Sequence, residues 1–239
     1  MGEAAPVEGS PLPRAPDRVH LLVTGFGKFA GVPTNPTELL VNNLEAFLAS
    51  SSCARPLQSN ACVRSCKVLK VSASSVKEHL GSLAAGLDGE LGVGDGDVVI
   101  LVHFGVDVSA TRFKLERQAY NEANFRLPDE DGWQPAHEEI APSAQGAPGV
   151  VATRLDVDVV AQRLRDAGFD VAVSRDPGRY VCNYTYYKSQ MAFGSRRDFY
   201  SIFVHVPTLA SIDANTQMEF AAALLDQLAF DACLKRLRC

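Results

Sequence analysis

Short, nearly continuous apolar runs separated by helical patterns constrain the fold of this chain more than any other feature. Residues 19–24 (Val-His-Leu-Leu-Val-Thr), 98–103 (Val-Val-Ile-Leu-Val-His) and 201–207 (Ser-Ile-Phe-Val-His-Val-Pro) are three such runs. Apolar runs of this length suit strands covered on both faces. Between them, Asn35-Pro36-Thr37 opens a helical pattern through Leu39, Leu40, Asn43, Leu44, Phe47 and Leu48, with Asn or Thr as its cap. Residues 63–71 read as a second strand and 74–87 as a helix. Residues 155–167 are amphipathic, with Leu155, Val159, Val160 and Leu164 on one face and Gly168 as the stop. Residues 169–173 read as a strand, and 216–237 as a long final helix with Met218, Ala222, Leu225 and Leu228 inward.

This alternation predicts an α/β protein with a mainly parallel sheet sandwiched by helices. Residues 127–149 break the rhythm, and a long segment without elements inside a compact domain is functional or mobile. Residues 1–17 carry Pro6, Pro11, Pro13 and Pro16 and no apolar periodicity, which predicts a disordered tail. No internal repeat or linker divides the remainder, so residues 18–239 are read as one domain. With 239 residues, 46% hydrophobic and 21% charged, the chain is long and apolar enough for one substantial core.

A net charge of −5 with no basic stripe argues against nucleic acid as a partner. No run approaches the roughly 18 apolar residues of a membrane span. The N-terminus lacks a secretory pattern, and Pro6 stands where a myristoylation signal wants Ser or Thr. The expected location is therefore cytoplasmic, and the six cysteines are expected as reduced thiols. Cys62 and Cys66 have near-zinc spacing, but no second pair follows, so no metal is expected. The sequence leaves the oligomeric state open, a homo-oligomer included.

Two segments carry candidate chemistry. Gly178-Arg-Tyr-Val-Cys182-Asn-Tyr-Thr-Tyr-Tyr187 puts a thiol at the opening of a helix, where the positive end of the dipole favours the thiolate. The next histidine downstream, His205, ends the 201–207 run, and a thiol nucleophile needs such a base. His103 also ends a strand and is the rival. Either histidine could equally be a satisfied core residue, and Cys182 a small buried hydrophobe. Gly25-Phe-Gly-Lys-Phe-Ala-Gly31 follows the first strand, but Ala30 breaks the dinucleotide spacing and no phosphate-binding Gly-Lys-Ser/Thr is present. Phe26 and Phe29 there suit an apolar pocket wall, or simply cap the core. Glu116, beside Arg117, is either a surface ion-pair partner or the carboxylate that orients a histidine. Arg126 is either a solvated charge or a stabiliser of an oxyanion.

Taken together, these segments resemble the pyroglutamyl-peptidase I family of cysteine omega-peptidases. The resemblance runs from about Val19 to the final helix. It is carried by Val23 to Gly31 with Asn35-Pro36-Thr37, by Leu115-Glu-Arg-Gln-Ala-Tyr-Asn121 with Phe125-Arg126, by Gly178 to Asn183, and by Phe203-Val-His-Val-Pro207. It implies a three-layer α/β/α sandwich with a twisted mixed sheet, no cofactor, and removal of N-terminal pyroglutamate from peptides. Matched motif by motif, it implies Cys182 as nucleophile, His205 as base, Glu116 as the acidic member and Arg126 near the oxyanion. Phe26, Phe29 and Val181 match pocket walls, and Asn35 a residue supporting the pocket loop. Lys28, Ala30 and Pro177 depart from the family's Pro, Gly and Ala, which bears on pocket shape and leaving-group preference. The Gly-Phe-Gly-Lys-Phe variant and the long segment with Trp133 resemble plant members most. A catalytically silent pyroglutamyl-peptide binder of the same fold is the alternative. An α/β enzyme binding a nucleoside or phosphate is a further one, disfavoured by the missing phosphate motifs.

Overall fold

A computed structural model describes residues 15–51, 53–86 and 92–237. Residues 1–14 of the expected tail, Leu87 at the expected end of the second helix, and Cys239 lie outside the described residues. Residues 15–17 were expected in the tail; of these, Pro16 is buried and Asp17 N–H donates to the Gly96 carbonyl at 3.0 Å, while Ala15 is exposed.

The chain runs β1 (Val19–Phe26), α1 (Pro36–Leu48), β2 (Ala61–Leu69), α2 (Ala73–Gly86), β3 (Val98–Val106), β4 (Phe113–Glu116) and β5 (Gln118–Tyr120). It continues through β6 (Val150–Ala152), α3 (Val157–Asp166), β7 (Val171–Ser174), α4 (Val181–Phe193), β8 (Phe199–Val206) and α5 (Ala214–Arg236). Six strands form one sheet in the order β2-β1-β3-β8-β4-β7. Its pairings are parallel except that of β4 with β8. The strands β5 and β6 form a small antiparallel ribbon beside it.

The apolar runs are buried along their whole length because both faces are covered. Alternate residues belong to two cores, as the period of a strand requires. Val19, Leu21, Val23, Ile100 and Val204 face α1, α3 and α5, whereas Leu22, Val99, Leu101 and Phe203 face α2 and α4. Each such side chain removed from water stabilises by about 1.5–3 kcal/mol. On the first side, Phe220 of α5 stacks on Phe113 of β4 with ring centroids 3.6 Å apart. The result is the expected α/β/α sandwich with a mixed, mostly parallel sheet.

Local signals set the helix ends. Asn35 is the cap of α1, its Oδ1 accepting from Thr37 N–H, with Pro36 at the first position. Gly168, at φ +97°, stops α3, a conformation glycine adopts without strain. Two expectations for α3 need correction. Leu155 is buried but precedes the helix, and Val159 faces solvent at 39% exposure. The buried stripe is Val157, Val160, Ala161 and Leu164. The strand β2 begins and ends two residues before its expected limits, and β1 and β3 run on to Phe26 and Val106. Residues 127–149 contain only a turn of 3-10 helix at Ser143–Gln145 and an isolated bridge from Glu138 to Ala123.

The order β2-β1-β3 makes the β1/β3 boundary a switch point. The chain leaves β1 for one neighbour through α1 and crosses back to the other through α2. Crevices open beyond the carboxyl ends of strands at such points. Gly25 is what lets α1 sit close there, because a Cβ on it would lie 2.5 Å from the Thr37 carbonyl oxygen. Gly25→Ala is expected to destabilise the protein by about 1–3 kcal/mol, read as a lower urea midpoint at unchanged slope.

Candidate active site

A cleft of about 260 Å³ opens at this switch point. Phe26 reaches it from the end of β1, Phe29 and Asn35 from the segment after β1, Val71 from just beyond β2, and Gly105 and Val106 from the end of β3. Tyr180, Val181 and Cys182 enter it from the start of α4. Four of the residues expected around a pocket, Phe26, Phe29, Asn35 and Val181, are thus brought together with Cys182. Val71, Gly105, Val106 and Tyr180 were not singled out from the sequence. Tyr180 sits one residue before Val181, and Gly105 sits in a strand otherwise built of large side chains, so both carried a readable signal.

Asn35 is fully occupied in holding the loop. Its Nδ2 donates to the Gly27 carbonyl at 2.9 Å, and its Oδ1 accepts from Thr37 N–H at 3.1 Å. Thr37 Oγ1 in turn accepts from Phe26 N–H at 2.9 Å. This ties the end of β1 to the start of α1 and fixes the backbone that carries Phe26. Lys28 and Ala30 are exposed.

Cys182 is the second residue of α4, after Tyr180 as the cap and Val181 as the first. The first N–H groups of a helix have no intrahelical partner and point towards whatever lies at its start. The neighbour of Cys182, Asn183, is completely buried and anchors the helix start. Its Oδ1 accepts from Tyr120 N–H at 2.8 Å, and its Nδ2 donates to the Tyr120 and Glu122 carbonyls, both at 2.9 Å.

His205 is almost completely buried at the carboxyl end of β8, and the structure brings it to the thiol. Its Nδ1 lies 2.8 Å from Glu116 Oε1, and the ring hydrogen-bonds Cys182. Glu116 pairs with Phe203 across the antiparallel β4–β8 ladder, and Lys114 pairs with His205. Glu116 and His205 are therefore diagonal neighbours on one face of the sheet, within reach of each other. Glu116 is fully buried, and among the described residues its Oε2 has no hydrogen-bond partner. Burial works against charging His205, but its bonds to Cys182 and Glu116 carry the pKa up from 6.5 to about 10. The imidazolium is the favoured form.

Gly105 pairs with His205 across β3 and β8. A Cβ on it would lie 2.6 Å from the Phe203 ring and 3.2 Å from Cys182 Sγ, so the absent side chain admits both. Phe203 then backs the His205 ring, with centroids 4.9 Å apart.

The rival His103 is elsewhere. It is fully buried, with Nδ1 2.7 Å from Thr24 Oγ1, and burial, helped by His79, pushes its pKa down to about 3. His79 is held near 4 by burial and by Lys67. Arg126 is exposed and is not among the residues lining the cleft; its carbonyl accepts from Gln134 Nε2 at 3.2 Å. Arg117, which the sequence sets beside Glu116, pairs with Asp158 instead, at 2.5 Å. The described cysteines are free thiols, and no group of three or more His, Cys, Asp or Glu among the described residues could hold a metal ion.

A thiol at a helix start, an imidazole bonded to it and a buried carboxylate behind are the equipment of a thiol-dependent hydrolase on an α/β sheet. Comparison with known proteins gives the same class. A model of the Pyroglutamyl peptidase family matches residues 19–229. A pyrrolidone-carboxylate peptidase of Thermococcus litoralis is 30% identical over 190 residues, 78% of this chain and 76% of that protein. One of Levilactobacillus brevis is also 30% identical, covering 80% and 83% of the two chains. The solved pyrrolidone carboxyl peptidase from Thermococcus litoralis shares the fold with a TM-score of 0.68 at 26% identity, over 92% of this chain and 94% of that one. Bacillus amyloliquefaciens pyroglutamyl peptidase I has a TM-score of 0.72 at 21% identity, over 89% and 98%, a likeness of fold. The chain belongs to the pyroglutamyl peptidase family.

The site has a readable titration signature. Following the imidazole carbons by NMR, His205 is expected to titrate near pH 10 and His103 only near pH 3. The raised His205 contributes stability below 6.5 that is lost as pH rises through about 10. The depressed His79 and His103 act the other way, costing stability as pH falls below 6.5. A His205 titration near its ordinary value would contradict the assignment.

Proposed function

We propose that this protein hydrolyses the amide bond after an N-terminal pyroglutamyl residue, with Cys182 as nucleophile, His205 as base and Glu116 as the group that holds the imidazolium. The observation that carries this reading is the chain of contacts Glu116–His205–Cys182 at the mouth of an uncharged cleft. In the reaction the Cys182 proton rests on His205, and the thiolate attacks the pyroglutamyl carbonyl. Backbone N–H groups at the start of α4 receive the oxyanion. His205 then protonates the leaving amine, and water attacks the thioester to release free pyroglutamate. Arg126, exposed and outside the cleft lining, is assigned a supporting role at the rim on resemblance alone.

Specificity follows from the lining. Pyroglutamate is a flat, uncharged lactam, which Phe26, Phe29, Tyr180 and Val181 can cover without stranding a charge. N-terminal glutamate would bring an ammonium and a carboxylate into a lining with no charged side chain, at a cost of several kcal/mol. Asn35 acts on this pocket by holding its loop. No cofactor enters these steps. A cytoplasmic location rests on the reading of the cysteines as reduced thiols, and kinship with plant members rests on Lys28 and the segment around Trp133. The catalytic unit is taken as residues 18–239.

Purified protein is expected to release the fluorophore from a pyroglutamyl aminocoumarin amide and to leave the glutamyl amide intact. Cys182→Ala should abolish release, and His205→Gln should lower kcat by about 10²–10⁴-fold. His103→Gln should leave turnover nearly intact. Absence of turnover by the wild type under reducing conditions would sink the peptidase reading and favour the silent binder. A large loss in His103→Gln with none in His205→Gln would mean that the base is misassigned.

A further inference from the structure

Residues 128–133, in the long segment before β6, form a strap to which three walls of the cleft are tied. Tyr180 Oη donates to the Pro128 carbonyl at 3.1 Å. Glu130 N–H donates to the Val71 carbonyl at 3.0 Å. A Glu130 carboxylate oxygen accepts from Ala30 N–H at 3.3 Å, next to Phe29. These walls come from the loop after β1, the end of β2 and the start of α4, and the strap is what they share.

Asp129 stands at the centre of the strap and is only 5% exposed. Its Oδ2 accepts from Ala73 N–H, the first residue of α2, at 3.0 Å. Its Oδ1 accepts from the N–H groups of Asp131 and Trp133, both at 3.0 Å. Its own N–H donates to the Trp133 carbonyl, and its carbonyl accepts from Gly132 N–H, both at 2.9 Å. The Trp133 ring packs edge-on against Phe125 at 5.1 Å, and Phe125 against Tyr180 at 4.7 Å. A buried carboxylate that spends both oxygens on backbone N–H groups fixes backbone.

We propose that this strap sets the shape of the pyroglutamyl pocket and that Asp129 is the positioning residue that locks it. The inference rests on the pyroglutamyl-peptidase reading. The walls cover the lactam ring in the ground state and in the transition state alike. Loosening them removes uniform binding, which raises KM and leaves kcat in place.

The test uses the full chain, Asp129→Ala, and Tyr180→Phe, which removes the strap bond but keeps the ring. The readouts are kcat and KM for the pyroglutamyl amide, calorimetric Kd for free pyroglutamate, and the rate of Cys182 alkylation by iodoacetamide followed by peptide mapping. Asp129→Ala is expected to raise KM and Kd about tenfold, with kcat within about twofold and alkylation at the wild-type rate. Tyr180→Phe is expected to raise both about threefold. Unchanged KM and Kd in folded Asp129→Ala overturns the proposal. So does a fall in kcat and alkylation with KM unchanged, which would place the effect on the nucleophile. If Asp129→Ala does not fold, unchanged values in Tyr180→Phe overturn it. A wild type that binds pyroglutamate without turning over the amide defeats the peptidase reading, while the Kd comparison still decides the strap. A wild type that does neither defeats both.

Discussion

A carboxylate with no exposure to water needs a compensating partner, and for Glu116 that partner is His205. Much of the site depends on this contact. Removing either side would strand a buried charge or free a ring that must point at a thiol. The antiparallel pairing of β4 with β8 makes the contact possible, because it sets Glu116 diagonally to His205 on one face. In a sheet otherwise built of parallel pairs, that reversal serves the proposed chemistry.

The rest of the machinery arrives from the other side of β8. The parallel neighbour β3 carries Gly105 as its second-last residue, whose missing side chain admits Phe203 and Cys182 Sγ together. The α4 helix delivers Cys182 as its second residue and is held in place through Asn183. Across the switch point, Asn35 and Thr37 knot the loop that carries Phe26 and Phe29. The groups proposed for chemistry and for recognition are thus mounted on different elements that share one crevice. The apolar cores on the two faces of the sheet keep them in register.

Much of this was legible in the chain. Short, nearly continuous apolar runs announced β1, β3 and β8, and Asn35-Pro36 announced the start of α1. A cysteine opening a helix and a histidine ending the next strand were readable because helix starts and strand ends gather at one edge of an α/β sheet. The strands β4, β5 and β6 were not readable. They are three or four residues long, and β4 and β5 mix charged and polar with apolar positions. Glu116 illustrates the cost. Beside Arg117 it reads as a surface ion pair, but Glu116 is the last residue of β4 and points inward to His205, while Arg117, just beyond the strand, meets Asp158. Only resemblance separated these alternatives. Val159 misled because the apolar pattern was counted from Leu155, before the helix begins. Val71 and Val106 line the cleft through topology, which no local pattern contains.

In the proposed mechanism Glu116 acts on the thiol through His205. The most direct measurement is the rate at which iodoacetamide alkylates Cys182 at pH 7 in the wild type and in Glu116→Gln, with folding checked by near-UV circular dichroism. A folded Glu116→Gln protein is expected to react at least about tenfold more slowly, because the neutral amide no longer favours the imidazolium beside the thiol. Equal rates in two folded proteins would contradict it.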